Sequence, residues 1–251
     1  MQALILEKLD AIAAEHGVRI LYACESGSRG WGFASKDSDY DVRFIYCHRR
    51  DWYLTIGEPR DVIELPINDV LDINGWGLRK ALQLMRNSNP TLLEWLSSPI
   101  VYREEAGTMA QFRALAEKSY VSQACLYHYL QMARGNFRDY LKADEIWVKK
   151  YFYALRPVLA CLWIEAGYGV APMPFDALVQ RMVTDPQLQS AIAALKRRKM
   201  AGDELDRGPC NEVISAFLER ELDRLYSAQL PMPNAKPTLE EADTLLRSVL
   251  R

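Results

Sequence analysis

The stretch GSRGWGFASKDSDYDVR, from Gly27 to Arg43, decides the fold predicted for this chain. It holds three glycines, the first followed directly by Ser28, and then three aspartates within five positions. The preceding run, VRILYACES, is apolar and ends in small polar residues, as a buried strand does where it enters a tight loop. From Asp39 onward apolar and polar residues alternate, which is typical of a second strand. The stretch is therefore predicted to connect two neighbouring strands.

The charged part of this stretch predicts a ligand site. Asp39 and Asp41 are separated by one residue, so on a strand their side chains project from the same face. Two carboxylates that close are unfavourable when both are ionised, unless a cation lies between them, and Mg²⁺, with Mn²⁺ as the alternative, prefers such oxygen ligands. Gly27 and Ser28 would offer backbone N–H groups and a hydroxyl to phosphate oxygens, and Arg29 adds a positive charge. The pattern predicts a site for a metal ion and a nucleoside triphosphate.

The same residue types also occur in a plain surface loop, because Asp and Ser favour turn geometry without any ligand. Two aspartates flanking one residue would, alone, favour that interpretation. Here a Gly-Ser pair at a strand end, a loop, and an Asp-Tyr-Asp sequence leading into a second strand occur together. This combination favours the ligand site.

The rest of the chain predicts a small sheet followed by helices. Ala3–His16 has helical spacing, with Gly17 as its stop, and DVIELPI and NDVLDI are two further short strands. From Leu78 onward the apolar spacing is almost entirely helical. The predicted fold class is α+β: a small mixed β-sheet domain with flanking helices over residues 1–103, then an all-helical domain over residues 104–251.

Gly27, Ser28, Asp39 and Asp41 together resemble the signature of the DNA polymerase beta-like nucleotidyltransferase superfamily. The segments DINGWGLRKALQLMRNSNPTLLEWLSSPIVY and KKYFYALRPVLACLWIE are similar to bacterial and phage predicted nucleotidyltransferases linked to RNA repair. The resemblance spans roughly residues 15–225. It implies a nucleotidyltransferase catalytic domain over residues 1–103 and a helical substrate-binding domain over residues 104–251. The implied reaction moves a nucleoside monophosphate from an NTP, ATP among them, to an acceptor hydroxyl, an RNA or tRNA end, with release of pyrophosphate.

Such an enzyme takes a third catalytic carboxylate from a strand that follows the two aspartates. Asp72, in VLDI, is the first candidate, Glu64, in VIELP, is the second, and Asp61 is the third. Asp72 also fits a turn that precedes the next helix. Gly77 departs from the aspartate that related chains often carry at that position.

A basic and aromatic stripe in the helical region is the candidate for a further nucleotide contact. Lys150, Tyr153 and Arg156 recur every three residues, so they share one helix face. Such a stripe can hold phosphate and stack on a base. The resemblance implies that Lys150 and Arg156 face the nucleotide, whereas Tyr153 fits a helix core equally well.

Composition narrows the class of partner. Thirty-one basic and thirty-three acidic residues give a net charge of -2, so no global positive field indicates nonspecific nucleic-acid binding. Five scattered cysteines without a CxxC pair favour a reducing cytoplasm, and no apolar run is long enough to span a membrane. A protein or small-molecule acceptor, or a catalytically silent nucleotide-binding module, stays an alternative. The base preference and the oligomeric state are left open.

Overall fold

The computed structural model describes residues 1–57, 59–66, 70–202, 206–228 and 239–250. Contacts between Cα atoms divide the chain into two compact units, each assembled from separated segments. The sheet unit consists of Met1–Gly30, Asp39–Tyr120 and Ala235–Arg251. The helical unit consists of Trp31–Ser38 and Val121–Asn234.

Helices and strands are numbered along the chain. The helices are α1 (Gln2–His16), α2 (Gly27–Trp31), α3 (Leu78–Arg86), α4 (Pro90–Leu96), α5 (Ala106–Lys118), α6 (Ser122–Tyr140), α7 (Val148–Glu165), α8 (Phe175–Met182), α9 (Pro186–Ala201), α10 (Glu212–Ser227) and α11 (Leu239–Val249). The strands are β1 (Arg19–Glu25), β2 (Tyr40–Cys47), β3 (Val62–Glu64), β4 (Leu71–Gly77), β5 (Val101–Glu104), β6 (Glu145–Trp147) and β7 (Arg207–Pro209). A 3₁₀ helix, Arg50–Leu54, lies between β2 and β3.

The sheet unit is built on one five-stranded sheet in the order β3-β4-β2-β1-β5. Strands β2 and β4 run parallel, and the other neighbouring pairs run antiparallel. Ile5 and Leu9 of α1 are fully buried in a core that also contains Phe44 and Ile73 of the sheet. β1 is buried at every position after Arg19, which explains why its sequence is a continuous apolar run and not an alternating one.

Two local signals set the helix boundaries that the sequence predicts. Gly17 adopts φ +60°, and its N–H donates to the carbonyl of Ala13, so α1 ends in the left-handed conformation that favours glycine. Pro90 is the first residue of α4, and the Asn89 side chain accepts a hydrogen bond of 3.1 Å from the Leu92 N–H. These helices therefore begin and end where their capping residues stand.

The helical unit has α7 at its centre. This helix packs against α6 and α8, and it keeps Pro157 inside its length. Strands β6 and β7 form a separate antiparallel pair. Tyr151 of α7 accepts a hydrogen bond of 2.7 Å from the Asn211 N–H, and Asn211 caps α10 through its side chain. The start of α10 is thus fixed by both a cap and a neighbouring helix.

The segment Trp31–Ser38 follows the Gly-Ser pair in sequence and belongs to the helical unit. Phe33 is 2% exposed and stacks on Phe152 at a ring distance of 4.4 Å. Buried Lys199 donates to the hydroxyl oxygens of Ser35, at 3.3 Å, and Ser38, at 3.2 Å. Aromatic packing at one end and hydrogen bonds at the other hold this segment.

The α+β class predicted from the sequence is confirmed, with three local differences. Residues 27–31 form the short helix α2 where the sequence predicts a loop, because the Gly30 N–H donates to the Ser26 carbonyl at 3.1 Å. β5 pairs with β1, and β6 pairs with β7, through backbone hydrogen bonds that short sequence runs do not reveal. The prediction of domains at 1–103 and 104–251 stays a prediction; the sheet unit also takes in residues 104–120.

Within the described ranges, no helix has the length and apolar character needed to cross a lipid bilayer.

Candidate active site

The parallel pairing of β2 with β4 brings two of the predicted carboxylates together. Asp41 lies directly opposite Asp72 in the register of the two strands. Asp39 precedes β2 by one residue and is exposed. All three side chains belong to the sheet unit, at the end of β2 where the chain enters the sheet.

A guanidinium lies between Asp41 and Asp72. Arg43 Nη2 donates to Asp41 Oδ1 at 2.9 Å and to Asp72 Oδ2 at 2.6 Å. Arg43 Nη1 also donates to the main-chain carbonyl of Asp72 at 2.9 Å. The three side chains are only 17 to 28% exposed, so their charges are partly shielded from water. Arg43 therefore supplies the positive charge that two neighbouring carboxylates require.

Gly27, the first residue of the Gly-Ser pair, lies directly beside Asp41. Gly27 adopts φ +54°, and a Cβ added to it would lie 1.8 Å from Asp41 Oδ2. The Ser26 N–H donates to the Asp41 carbonyl at 2.8 Å, so the end of β1 and the start of β2 are also joined through the backbone. The structure thus brings Gly27 next to Asp41, and the phosphate-binding role of Gly27 and Ser28 stays a prediction.

Arg29 contacts the residues around Asp39. Its Nε donates to the Asp39 carbonyl at 3.2 Å, and its guanidinium lies 3.7 Å from the centre of the Tyr40 ring. A cation over an aromatic face is held by the ring quadrupole. Arg29 is consequently positioned at the candidate site by contacts within the sheet unit.

Glu25 is a site residue that sequence reasoning misses. It is fully buried, its Oε1 accepts the Asp41 N–H at 2.8 Å, and its Oε2 accepts the Tyr102 hydroxyl. The Ser98 hydroxyl donates to the Glu25 carbonyl at 2.6 Å. Burial raises the pKa of the Glu25 carboxyl, an effect that its hydrogen bonds partly oppose. The available signal was an acid at the end of an otherwise apolar strand.

The other two acids considered for the third position have different surroundings. Glu64 lies on β3 opposite Asn74, whose side-chain amide donates to it at 2.9 Å, and it also pairs with Arg60. β4 separates this strand from β2. Asp61 forms an ion pair with Lys80, at 3.1 Å between Oδ1 and Nζ. Neither acid is paired with Asp41, whereas Asp72 is.

Gly77 occupies a confined position. Its N–H donates to the Asp61 carbonyl at 2.8 Å, and an added Cβ would lie 3.3 Å from that same oxygen and 3.6 Å from the Tyr46 ring. A side chain here would need its neighbours to shift. The close packing gives a structural reason for glycine at this position.

The predicted nucleotide contacts of the helical region lie in the helical unit. Lys150 Nζ is 3.6 Å from the centre of the Tyr140 ring, and Tyr153 makes an edge contact with Trp31 at 6.0 Å. Arg156 is 3% exposed, and it lies 5.0 Å from the Trp31 ring. Lys150 and Tyr153 are half-buried, so of the three residues Arg156 is the least accessible to a nucleotide. The nucleotide-binding role of these residues stays a prediction.

The donor set of the sheet unit consists of carboxylate oxygens, the ligand type that Mg²⁺ prefers. Over the ranges that the structure describes, no group of three His, Cys, Asp or Glu residues is arranged to hold a metal ion. Arg43 nonetheless marks a place where two carboxylates already hold a positive charge. The carboxylates of Asp39 and Asp41 are of the chemical type that a hard cation binds, and a metal ion at this place stays a prediction.

Known proteins similar to this chain come from two comparisons. An uncharacterised protein of Bacillus subtilis, YcgL, is 50% identical over 228 residues, which are 91% of this chain and 88% of that protein. A crystal structure of a nucleotidyltransferase-like protein from Exiguobacterium sibiricum aligns with 96% of this chain and 85% of its own at 13% identity. Its TM-score of 0.31 is too low to support an argument about function.

Nearly the whole chain also matches one protein family. The matching family profile covers residues 1–248 and carries the description RNA repair pathway DNA polymerase beta family. This range includes the whole helical unit, all but the last three residues of the sheet unit, and each predicted site residue. The chain belongs to the RNA repair pathway DNA polymerase beta family, RlaP.

Proposed function

We propose that the protein is a metal-dependent nucleotidyltransferase that moves a nucleoside monophosphate from an NTP to the hydroxyl of an RNA or tRNA end. The observation that carries this proposal is the position of Asp41, which contacts Gly27 on one side and lies opposite Asp72 on the other. A phosphate-binding turn, a metal ligand and a third acid would thereby share one end of the sheet.

Each residue of the sheet unit has a role in this proposal. Asp39 and Asp41 would hold Mg²⁺, or Mn²⁺ in its place, and a bound ion would supply positive charge for the triphosphate and the departing pyrophosphate. Gly27 and Ser28 bind the triphosphate through N–H groups and a hydroxyl. Arg29 adds a positive charge beside them.

Asp72 acts on the acceptor. It accepts the proton of the attacking hydroxyl, whose oxygen forms a bond to the α-phosphorus of the NTP. The bond between that phosphorus and the bridging oxygen to the β-phosphorus breaks, and pyrophosphate leaves with the electron pair. Arg43 contacts both Asp41 and Asp72, so it would hold Asp72 in place while it competes with the metal for Asp41 Oδ1.

The acceptor is the finer part of the proposal. The description of the family, an RNA repair pathway, supports an RNA end. The net charge of -2 does not support an extensive phosphate footprint, so a short contact near the reacting end fits better. A protein or small-molecule hydroxyl would use the same carboxylates, and the experiment below includes both.

The test incubates the protein with each α-labelled NTP and Mg²⁺ or Mn²⁺, in the presence of RNA, tRNA, a protein mixture or aminoglycosides. Label transfer to RNA or tRNA with pyrophosphate release supports the proposal. Transfer to protein or small molecule would replace the acceptor. Metal-dependent NTP binding without transfer to any acceptor would indicate a silent nucleotide-binding module and overturn the enzyme assignment.

The variant that tests the metal site is Asp39→Asn with Asp41→Asn. We expect it to lose metal-dependent NTP binding, measured by isothermal titration, because it removes both ligand charges. Asp37→Asn is the matched control, since Asp37 is an exposed aspartate of the same stretch and is assigned no ligand role. Unchanged NTP and Mg²⁺ affinity in the double variant would contradict the site.

A further inference from the structure

The sheet unit contains a cavity at the end of its central strands that lies opposite the candidate active site. The cavity has a volume of about 810 Å³ and is lined by parts of α1, β1, β2, α5 and the end of α11. Arg19 lies opposite Cys47 at this end of the β1–β2 pair, whereas Glu25 lies opposite Val42 near the candidate active site. Six residues of strand separate the two ends by roughly 20 Å. The cavity is thus a separate place on the same unit.

The cavity carries more positive than negative charge. Arg19, Arg49 and Arg50 line it, together with one acid, Glu105. Arg19 is paired with Glu105 at 2.7 Å and also donates to the Val249 carbonyl at 2.7 Å. Arg49 and Arg50 are exposed and form no ion pair with any residue that the structure describes. Two guanidinium groups therefore remain available to an anion.

An imidazole lies beside these two arginines. His48 lines the cavity, and its ring stacks on Trp52 at 4.0 Å with an angle of 12°. The His48 ring also makes an edge-to-face contact with the Tyr46 ring, at 5.4 Å between the ring centres. Burial lowers the pKa of His48, and nearby His16 lowers it further. The ring is held in a fixed orientation. A negative charge placed next to it would stabilise its protonated form and raise its pKa.

We propose that this cavity binds a phosphorylated small molecule, with Arg49 and Arg50 contacting the phosphate and His48 beside it. Guanidinium groups match phosphate oxygens in a bidentate manner. Ala13 and Val18 give the lining an apolar part for the organic portion of the ligand. The volume of the cavity lies within the usual range for a small-molecule site. This site requires no metal and lies outside the proposed transfer reaction.

The experiment follows the histidines by NMR. The protein has only three, His16, His48 and His128, so their ring signals can be assigned by single substitutions to Gln. Inorganic pyrophosphate and AMP are titrated separately in the presence of EDTA, which keeps metal away from Asp39 and Asp41. We expect a saturable shift and a raised pKa for His48 with AMP or with both probes. His128, exposed on α6 of the helical unit, should not respond.

A charge-matched pair of variants tests the arginines. Arg49→Gln with Arg50→Gln should weaken binding at least about tenfold, since it removes both guanidinium groups and their charge-assisted hydrogen bonds to the phosphate. Arg181→Gln with Arg197→Gln removes the same charge from exposed positions of the helical unit and should leave binding unchanged.

Three outcomes would overturn the proposal. The first is that the His48 signal shows no saturable response to AMP and none to pyrophosphate. The second is that the Arg49→Gln, Arg50→Gln variant responds as strongly as the wild type. The third is a response to a short RNA but not to AMP or pyrophosphate, which would assign the cavity to a polynucleotide. The titration contains no metal and measures no transfer, so its result is independent of the proposed enzyme activity.

Discussion

The carboxylate of Asp41 occupies the space that a side chain at position 27 would fill. A Cβ on Gly27 would lie 1.8 Å from Asp41 Oδ2, and the backbone of Gly27 has φ +54°. Glycine is therefore required both by the conformation and by the room that Asp41 needs. One residue of the Gly-Ser pair and one of the aspartate pair thus determine each other's position.

Gly27→Ala should lower transfer about a hundredfold, because the added methyl group displaces Asp41 and small displacements at a reacting centre are costly. The left-handed backbone should add a loss of about 1 kcal/mol in the free energy of unfolding. Gly167→Ala is the control: φ is +79° there, with nothing within 4 Å of the added Cβ. It should lose stability and retain transfer. Full activity of Gly27→Ala would show that Asp41 tolerates displacement.

Arg43→Met should destabilise the metal-free protein by about 1–3 kcal/mol, between the values for exposed and buried ion pairs, because Asp41 and Asp72 then repel each other. Mg²⁺ should restore more stability in this variant than in the wild type, since the ion takes over the charge compensation. Chemical unfolding with EDTA and with Mg²⁺ measures both effects.

The control for Arg43→Met is Arg138→Met, which breaks the exposed pair with Asp139. It should show little change in stability and the same response to Mg²⁺ as the wild type. Equal stabilisation of the wild type and Arg43→Met by Mg²⁺ would mean that the ion and Arg43 do not share these carboxylates.

Asp72→Asn should lower turnover far more than NTP affinity, because Asp72 is proposed to act on the acceptor and lies opposite Asp41. Glu64→Gln is the matched comparison on the neighbouring strand and should leave turnover nearly unchanged. Single-turnover rates and NTP titrations separate the two parameters. The reverse ranking would assign the third acid to Glu64.

Glu25→Gln should change the pH dependence of stability. Burial raises the pKa of Glu25 in the folded protein, so the folded state binds the proton more tightly than the unfolded state. Wild-type stability should therefore fall as the pH rises from the ordinary glutamic acid pKa through the raised one. The glutamine keeps an acceptor for the Asp41 N–H and carries no charge.

Unfolding free energies of wild type and Glu25→Gln across acid to neutral pH check this expectation. The difference between them should be smallest in acid and should grow in favour of the variant as Glu25 ionises. A constant difference at every pH would show that Glu25 does not titrate differently in the folded state.

Phe33→Ala should destabilise the helical unit by about 3–5 kcal/mol, the usual loss for a buried aromatic side chain. Phe33 is 2% exposed and contacts both Phe152 and Phe175. Tyr127→Ala, at a 53% exposed position on α6, is the control and should unfold like the wild type. Similar unfolding of the two variants would show that Phe33 does not anchor its segment.

The sequence predicts those parts of the fold that depend on local signals. The Gly-Ser pair, the two aspartates and their flanking strands are recognisable because each depends on short-range spacing. The contact of Arg43 with Asp72 was not predictable, because it depends on a parallel register between strands far apart in the chain. Arg156 has the spacing of a ligand-facing residue, yet its helix lies at the centre of the unit and buries it.

Each unit is assembled from separated segments, which limits how the protein can be truncated. The chain passes from the sheet unit to the helical unit after Gly30, returns at Asp39, passes over again after Tyr120 and returns at Ala235. A fragment that stops at residue 120 would keep Phe33 but lose Phe152, so a large aromatic ring would be exposed to water. No single truncation yields either unit intact, and the helical unit cannot be exchanged between proteins as one continuous segment.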